Sequence, residues 1–277
     1  MAVLCKVMEV SRSGFYRYMQ TVDHGDPGSG GDRGLLADVK AAFEASGGSY
    51  GSRRMARALG DLGYAVGRFQ ARSLMRRLGL KVLPAKRFKV TTDSKHNLPV
   101  APNVLAREFD VLAPDTVWAG DISYLWTRAG WLYLAVIIDL YSRKVVGWAM
   151  DRSMATELVS NALTMAVWRR RPKPGLLHHS DRGSQYASHE YQGLLRQYGM
   201  ICSMSRKGDC WDNAVVERFF RSLKTERTNH CSYETRDEAK QDVIDYIEMF
   251  YNSHRLHSYL GYMSPNDFEA LALRKVA

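Results

Sequence analysis

The spacing of hydrophobic residues changes near residue 115 of this 277-residue chain. Before that point, apolar residues recur every three or four positions, which is typical of one face of an amphipathic helix. After it, they alternate with polar residues or form short apolar runs, which is typical of strands. The pattern therefore predicts an all-α first part and a second part that contains a sheet.

The first part contains three predicted helices, each with an apolar stripe. They run from Leu35 to Ala45, from Arg53 to Leu62 and from Arg68 to Leu78. Gly63 and Gly79 follow the last two, as glycine often does where a helix ends. The buried stripe of the third helix is predicted at Ala71, Leu74, Met75 and Leu78.

The second part predicts strands and helices in the order β-β-β-α-β-α-β-α. The elements are Thr116 to Thr127, Trp131 to Leu140, Lys144 to Met150, Thr156 to Arg170, Gly175 to His179, Ser188 to Tyr198, Met200 to Met204 and a helix that carries Glu217. This order indicates the α/β class, with a ribonuclease-H-like mixed five-stranded sheet and flanking helices. A capping box at Thr235 and Glu238 predicts a further helix from Arg236 to about Tyr251, and Ser264-Pro265 opens a last short one.

Changes in composition divide the chain into six predicted segments. They are a truncated helix-turn-helix-like segment (1–22), a flexible Gly- and Asp-rich linker (23–34), a helical DNA-binding domain of the helix-turn-helix kind (35–80), a basic connector (81–114), the ribonuclease-H-like core (115–230) and a C-terminal helical extension (231–277). For residues 1–20, a frayed amphipathic helix is an equally good interpretation.

The charge is concentrated in one part of the chain, although the whole carries a net +10. Residues 35–97 hold 13 Lys and Arg against 4 Asp and Glu, whereas residues 98–277 hold 22 against 21. Such a basic segment is typical of a domain with a polyanionic partner, and it favours DNA. Within it, Arg68, Arg72 and Arg76 share one face of the third helix and are predicted to follow a phosphate backbone. The alternative is a basic face in contact with solvent.

The four cysteines and the apolar runs restrict the kind of protein. No cysteine pair has the CxxC spacing of a zinc site, so we expect four reduced thiols in a cytoplasmic protein. The N-terminus lacks a basic-then-apolar leader, and the longest apolar run, Trp131 to Leu140, is too short to span a bilayer.

Three acidic residues occupy positions that a sheet can bring together. Asp121 lies in a predicted strand, Asp181 just past another, and Glu217 on a later helix, with 59 and then 35 residues between them. We expect their carboxylates to converge at the C-terminal edge of the sheet. Such oxygen donors suit Mg²⁺ or Mn²⁺. Two ions about 4 Å apart would activate an attacking water or 3′-hydroxyl and stabilise the leaving oxygen.

Glu217, Arg221 and Lys224 share one face of their helix, at i, i+4 and i+7. Arg221 is one turn from Glu217 and is the better placed of the two for an ion pair with it. Lys224 is roughly 10 Å along the axis and is expected to meet a DNA phosphate. The alternative for Lys224 is a solvated surface lysine.

Other residues near these acids have competing interpretations. Asp139 could join the acidic site, but a cap on the following turn, through Ser142, is favoured. Strand alternation predicts that one of His178 and His179 is buried and the other exposed; the alternative is that one contacts phosphate or a metal ion. Trp118 and Trp126 are predicted to be core residues.

Four stretches resemble a known family. DISYLWT, HSDRGSQY, GDCWDNAVVERFFRSLKTE and YNSHRLHSYLGYMSP are similar to the IS-three family of bacterial insertion-sequence transposases of the OrfB type, within the DDE transposase and retroviral-integrase superfamily. The spacing of 35 residues before Glu217 and the lysine seven positions after it also match. The resemblance extends from about Leu35 to the end, because the three-helix segment looks like the family's upstream helix-turn-helix region.

The resemblance implies a DDE-type polynucleotidyl transferase with two Mg²⁺ or Mn²⁺ ions per active site at Asp121, Asp181 and Glu217. Its expected partners are the terminal repeats of an insertion sequence, target DNA, further copies of itself and an upstream reading frame's product or a fusion with it. Lys224, Arg221 and the three arginines of the third helix are the expected DNA contacts. The alternatives are a ribonuclease-H-like nuclease that only hydrolyses DNA, and a non-catalytic DNA-binding regulator.

Overall fold

The computed structural model describes residues 11, 13, 15, 29–82, 98–206 and 210–276. Most of the segment 1–22, the first half of the linker (23–28) and residues 83–97 of the connector lie outside the described residues. The chain divides into two compact units, residues 1–82 and 83–277. No described helix is long and apolar enough to cross a membrane.

Over residues 29–82, the described part of the first unit forms three helices, α1 (Ser29–Ala45), α2 (Ser52–Asp61) and α3 (Arg68–Arg77). Their buried residues include Val39, Met55, Leu59, Ala71, Leu74 and Met75. The predicted stripe of α3 is therefore confirmed at three positions, while Leu78 is only half-buried. Gly63 and Gly79 adopt positive φ values of 90° and 65°, which allows the chain to turn sharply after α2 and α3.

The first helix begins earlier than predicted. Helix α1 starts at Ser29, so the last six residues of the predicted linker are helical. Glycine is unfavourable inside a helix, but extending an existing helix costs much less than nucleating one. The strongly apolar stretch that follows therefore supplies a nucleus from which helix can extend back into the glycine-rich segment.

The second unit is a five-stranded sheet covered by helices on both faces. Its elements are β1 (Val117–Thr127), β2 (Gly130–Asp139), β3 (Val145–Asp151), α4 (Thr156–Arg170), β4 (Leu177–Ser180), α5 (Ser184–Ala187), α6 (His189–Gln197), β5 (Ile201–Met204), α7 (Ala214–Glu226), α8 (Arg236–Ile244) and α9 (Pro265–Val276). The spatial order is β3-β2-β1-β4-β5, with β1, β2 and β3 antiparallel and β1, β4 and β5 parallel. The predicted ribonuclease-H-like mixed sheet is confirmed.

Each face of the sheet has its own apolar core. One face is covered by α7 and α8, which contribute Val216, Phe219, Phe220, Leu223 and Val243 among others. The other face is covered by α4, α5 and α6, through residues that include Leu158, Val159, Leu163, Tyr186 and Tyr191. A strand in the middle of such a sheet has no solvated face, and this affects the residues of β4 described below.

The helix predicted from Arg236 to about Tyr251 is not α-helical throughout. It begins at the predicted cap, where Thr235 Oγ1 accepts a hydrogen bond from the Glu238 amide, and α8 ends at Ile244. Residues Asp245–Tyr251 continue as π-helical turns. Tyr246 and Tyr251, five residues apart, are both buried, and a π-helical turn brings that spacing onto one face.

Gly147 provides a test of the packing between β3 and α4. A Cβ atom at this position would lie 2.3 Å from the Ala162 carbonyl oxygen and 2.7 Å from the Ala166 Cβ. We expect Gly147→Ala to lower the free energy of unfolding by about 3 kcal/mol, because the helix must move away from the sheet. The measurement is urea unfolding followed by circular dichroism.

The matched control is Gly193→Ala in α6, where a Cβ atom would meet only the Arg196 guanidinium at 3.8 Å. This change removes a glycine from a helix and should raise the free energy of unfolding by about 0.5–1 kcal/mol. Equal effects of the two substitutions would contradict the close contact between β3 and α4.

Candidate active site

The parallel pairing of β1 with β4 places two of the predicted acids at the same level. Gly120 of β1 pairs with Ser180, the last residue of β4. Asp121 and Asp181 each follow one of these paired residues, and so they emerge side by side at the carboxyl end of β4. Asp121 Oδ1 accepts a hydrogen bond from the Ile122 amide (2.8 Å), and Asp181 Oδ1 accepts one from the Gly183 amide (2.9 Å).

The third acid approaches from the helix that follows the sheet. Glu217 lies in the first turn of α7, which packs on β1 through its apolar face. Asn213, immediately before α7, donates a hydrogen bond from Nδ2 to the Gly120 carbonyl oxygen at 3.2 Å. The start of α7 is therefore attached to the residue that precedes Asp121.

The three carboxylates influence each other electrostatically. Burial raises the pKa of Asp121 well above its usual range, the charge of Asp181 raises it further, and the Ile122 amide opposes the shift. Glu217 adds a smaller repulsion. The pKa of Glu217 is raised by burial and then by Asp181. Bringing like charges together in this way is unfavourable unless a cation offsets them.

Oxygen donors of this kind suit a hard divalent cation. Within the described residues, no three His, Cys, Asp or Glu side chains form a group ready to hold a metal ion. The chemistry of the three carboxylates fits Mg²⁺ or Mn²⁺, but in the described part of the chain their side chains do not form a ready-made binding group for such an ion.

Lys224 lies beside this group. Its ammonium Nζ is 4.8 Å from the centre of the Tyr124 ring, and the side chain is half-buried. Burial lowers the pKa of Lys224, and the charge of Asp121 opposes that shift. Lys224 is therefore only partly in contact with solvent, and its role in DNA binding stays a prediction. Arg221 is exposed and forms no ion pair with Glu217 among the described residues, so the predicted pair is not present.

A buried aspartate organises the approach to α7. Asp212 is fully buried, and its carboxylate accepts hydrogen bonds from Asn103, Arg107 and Arg206 at distances of 2.8–3.0 Å. The hydrogen bonds from Arg206 hold its pKa well below the ordinary value. These contacts link the segment before β1 and the residues just after β5 to the start of α7. They therefore help to position Glu217.

Asp212 and Asn213 are not singled out by the sequence pattern, because their partners lie up to 109 residues away along the chain. Tyr186 is a further residue that the pattern missed. Its hydroxyl is buried without a hydrogen-bond partner among the described residues, and the charges of Asp121 and Asp181 contribute to raising its pKa, after burial and Tyr191. The only signal is its place in GSQY, five residues after Asp181.

Asp139 caps the turn after β2. Its Oδ2 accepts hydrogen bonds from the Ser142 amide (3.1 Å) and hydroxyl (2.8 Å), and its Oδ1 accepts one from the Asp115 amide (3.2 Å). The favoured interpretation is confirmed. Complete burial raises the pKa of Asp139 to about 6.

The histidine prediction is wrong, because both rings are fully buried. His178 Nε2 is 3.0 Å from the Tyr191 hydroxyl, and the ring nitrogens of His179 lie 2.9 and 3.2 Å from the hydroxyls of Ser203 and Ser205. Alternate residues of a strand are exposed only when one face of the sheet is in contact with solvent. Both faces of the sheet at β4 are covered by helices. Burial lowers the pKa to about 3 for His178 and about 4 for His179.

The two tryptophans predicted to be core residues differ. Trp118 is fully buried, as predicted, whereas 60% of Trp126 is exposed. Trp126 lies close to the β1–β2 turn, outside the apolar contacts that the covering helices make with the sheet. Its neighbour across the strand, Trp131, is 43% exposed.

In the first unit, Arg68, Arg72 and Arg76 are all exposed on α3, opposite its buried stripe. Arg72 and Arg76 also line a groove together with Ser52 and Lys81. The arrangement gives one basic helix face next to the start of α2.

Three family models match the chain. Residues 112–210 and 217–273 match models described as integrase core domain, and residues 31–88 match one described as HTH-like domain. The first two matches contain the carboxylates of the candidate site, and the third contains the three arginines.

Curated relatives match over almost their whole length. The insertion element IS600 uncharacterized 31 kDa protein of Shigella sonnei is 44% identical, over 96% of this chain and 97% of its own. The transposase InsF for insertion sequence IS3A of Escherichia coli is 40% identical, over 96% and 92%. The transposase for insertion sequence element IS904 of Lactococcus lactis is 42% identical, over 86% and 94%.

Among solved structures, the HTLV-2 integrase catalytic core domain in complex with magnesium has a TM-score of 0.44 and 18% identity, over 57% of this chain and 97% of that chain. The catalytic core domain of BIV integrase has a TM-score of 0.43 and 18% identity, over 59% and 99%.

Replacing Asp139 tests the assignment of this carboxylate to the fold. Because its folded pKa is raised, the native state binds the proton more tightly than the unfolded chain, and wild-type stability falls as pH rises from about 4 to 6. Asn cannot ionise. Relative to wild type, Asp139→Asn should therefore gain about 2 kcal/mol in the free energy of unfolding between pH 4 and pH 7.

Urea unfolding at the two pH values measures this difference, and Asp237→Asn, at an aspartate whose side chain is 88% exposed, is the control. The free energies of unfolding of Asp139→Asn and wild type could differ by the same amount at both pH values. That result would contradict a buried, proton-binding Asp139.

Proposed function

The chain belongs to the IS-three family of insertion-sequence transposases, and on this basis we propose that Asp121, Asp181 and Glu217 hold two Mg²⁺ or Mn²⁺ ions per active site for cleavage and joining of DNA strands. Integrase-core transposases are polynucleotidyl transferases. The observation that supports the assignment is the mutual repulsion of three carboxylates that come from β1, the end of β4 and α7.

When bound, the ions would activate an attacking water or 3′-hydroxyl and stabilise the leaving oxygen. The protein's part is to keep the acids in place. Asp121 and Asp181 are aligned by the strand register, while the Asn213 amide and the Asp212 hydrogen bonds hold the helix that carries Glu217. Ligands carried on regular strands and a helix are held more rigidly than ligands on loops.

Lys224 is proposed to bind a phosphate of the element's end next to the scissile bond. Its ammonium is held against Tyr124 and feels the charge of Asp121, which places it beside the acids while α7 separates it from Glu217 by about two turns. A lysine at this point acts as a compact charge for phosphate. The exposed Arg221 is the second proposed contact from α7.

The HTH-like unit is proposed to bind the element's terminal repeats, with Arg68, Arg72 and Arg76 on phosphates. The proposal includes target DNA, several copies of the protein assembled on DNA and cooperation with an upstream reading frame's product or a fusion with it. No observation favours a nuclease that only hydrolyses DNA, or a non-catalytic regulator, over a transposase.

Two substitutions separate chemistry from DNA binding. We expect Glu217→Gln to lower the rate of 3′-end joining on the order of 10³-fold, because one metal ligand is lost, while DNA affinity stays the same. Lys224→Ala should weaken binding of element-end DNA on the order of tenfold and leave the metal concentration that gives half-maximal joining unchanged. Both are measured on full-length protein, by filter binding and by joining of labelled ends with Mg²⁺.

Lys173→Ala is the matched control, because Lys173 is exposed and has no ion pair in the described part of the chain. Wild-type joining by Glu217→Gln would refute the metal assignment. Wild-type behaviour of Lys224→Ala in both assays would refute the phosphate contact.

The salt dependence of DNA binding tests the basic face of α3. Each of Arg72→Ala and Arg76→Ala should weaken binding and reduce the slope of log K against log salt by about 1, because one phosphate contact is lost. The control is Arg57→Ala on α2, since Arg57 is paired with Asp61 at 3.4 Å. An unchanged slope in both α3 variants would show that this face does not bind phosphates.

A further inference from the structure

Three aromatic side chains form a continuous row at one end of the sheet. Trp126 of β1 and Trp131 of β2 face each other across the strands, with ring centroids 4.7 Å apart. Trp131 also contacts Tyr124 at 5.0 Å. The two indoles are 60% and 43% exposed, whereas the other tryptophan of β1, Trp118, is fully buried. Keeping two adjacent tryptophans in contact with water is unfavourable, and such a patch usually marks a binding site.

The inner end of the row lies against Lys224, the residue proposed to bind phosphate. Tyr124 follows Asp121 by three residues in β1, about 10 Å along the strand. Its ring carries the Lys224 ammonium at 4.8 Å, and Lys224 in turn feels the charge of Asp121. A strand whose phosphate is bound by Lys224 therefore has the aromatic row directly beside it, leading away from the carboxylates.

The ring geometry leaves flat surfaces available. The Trp126–Trp131 and Tyr124–Trp131 pairs are edge-to-face, with interplanar angles of 72° and 88°. In this arrangement the rings do not cover each other's faces as they would in a parallel stack. Exposed aromatic faces next to a cationic group are the combination that binds single-stranded nucleic acid by base stacking.

The turn that carries the row is held in place. Thr127 Oγ1 donates a hydrogen bond to the Gly130 carbonyl oxygen (2.6 Å), and Arg236 Nε donates one to the Trp131 carbonyl oxygen (2.9 Å). The Arg128 amide donates to the Tyr233 carbonyl oxygen at 3.0 Å. The indoles are thus presented on a rigid hairpin, which lowers the entropic cost of binding.

We propose that Tyr124, Trp131 and Trp126 form a stacking platform for unpaired DNA bases that flank the scissile phosphate. The proposal rests on the proposed function in one respect, because the direction in which the DNA strand enters the row is taken from the proposed active site. Bases within an intact duplex are already stacked and do not expose their faces, so the ligand is DNA opened or single-stranded next to the site. The cation at the inner end, Lys224, fits a polyanionic strand rather than an uncharged apolar surface.

The test compares two DNA probes on full-length protein. One is a 30-base-pair duplex with a five-nucleotide single-stranded tail containing 2-aminopurine, and the other is the same duplex without the tail. We expect Trp126→Ala to weaken binding of the tailed probe on the order of tenfold, to abolish the 2-aminopurine fluorescence change and to leave binding of the blunt duplex unchanged. Trp126→Phe, which keeps an aromatic face, should retain most of the affinity for the tail.

Trp168→Ala is the matched control, because Trp168 is 74% exposed on α4. Binding is measured in EDTA, so the result does not depend on metal ions or on joining, and failure of the metal assignment at Glu217 would not alter it. Equal loss for the two probes, or no loss for either, would overturn the platform. So would a Trp126→Ala variant that changes only the oligomeric mass by light scattering, because the tryptophans would then pack against a second copy.

Discussion

The parallel pairing of β1 with β4 is the constraint on which the candidate site depends. It aligns Gly120 with Ser180, and the two aspartates that follow therefore emerge at one edge of the sheet. Because β3 and β4 run in the same direction, the chain must cross over between them, and it does so through α4, which Gly147 allows to lie very close to the sheet. The packing of α4 on the sheet, away from the carboxylates, therefore helps to determine the positions of the two aspartates.

Attaching α7 to this edge has an electrostatic cost, because Glu217 adds a third negative charge near two others. The fold tolerates this repulsion because the charged groups that hold the start of α7 have well-satisfied hydrogen bonds. Asp212 is buried, yet it is neutralised by two guanidinium groups and several hydrogen bonds. Repulsion among the three acids contributes to raising the pKa of Asp121 and of Glu217, and shifted pKa values of this kind are typical of functional sites rather than of the structural frame.

The strands, the helices and the three separated acids could be predicted from the sequence because each depends on local periodicity or on order along the chain. The π-helical turns at Asp245–Tyr251, the exposure of Trp126 and the burial of both histidines could not, because they depend on what covers each face. Asp212 and Asn213 are short polar residues in a loop, and their importance follows only from partners brought close by folding. The helical start at Ser29 could not be predicted from the glycine-rich segment itself, because it depends on the apolar stretch that follows.

The two histidines of β4 have a consequence for the acidic edge next to them. Buried imidazoles that stay neutral down to about pH 4 add no positive charge beside Asp181 over the physiological range. The charge of these two side chains therefore stays constant while the surroundings change from pH 6 to pH 8. Any pH dependence of the site in this range comes from groups other than the two imidazoles, even though β4 carries the side chain most often associated with proton sensing.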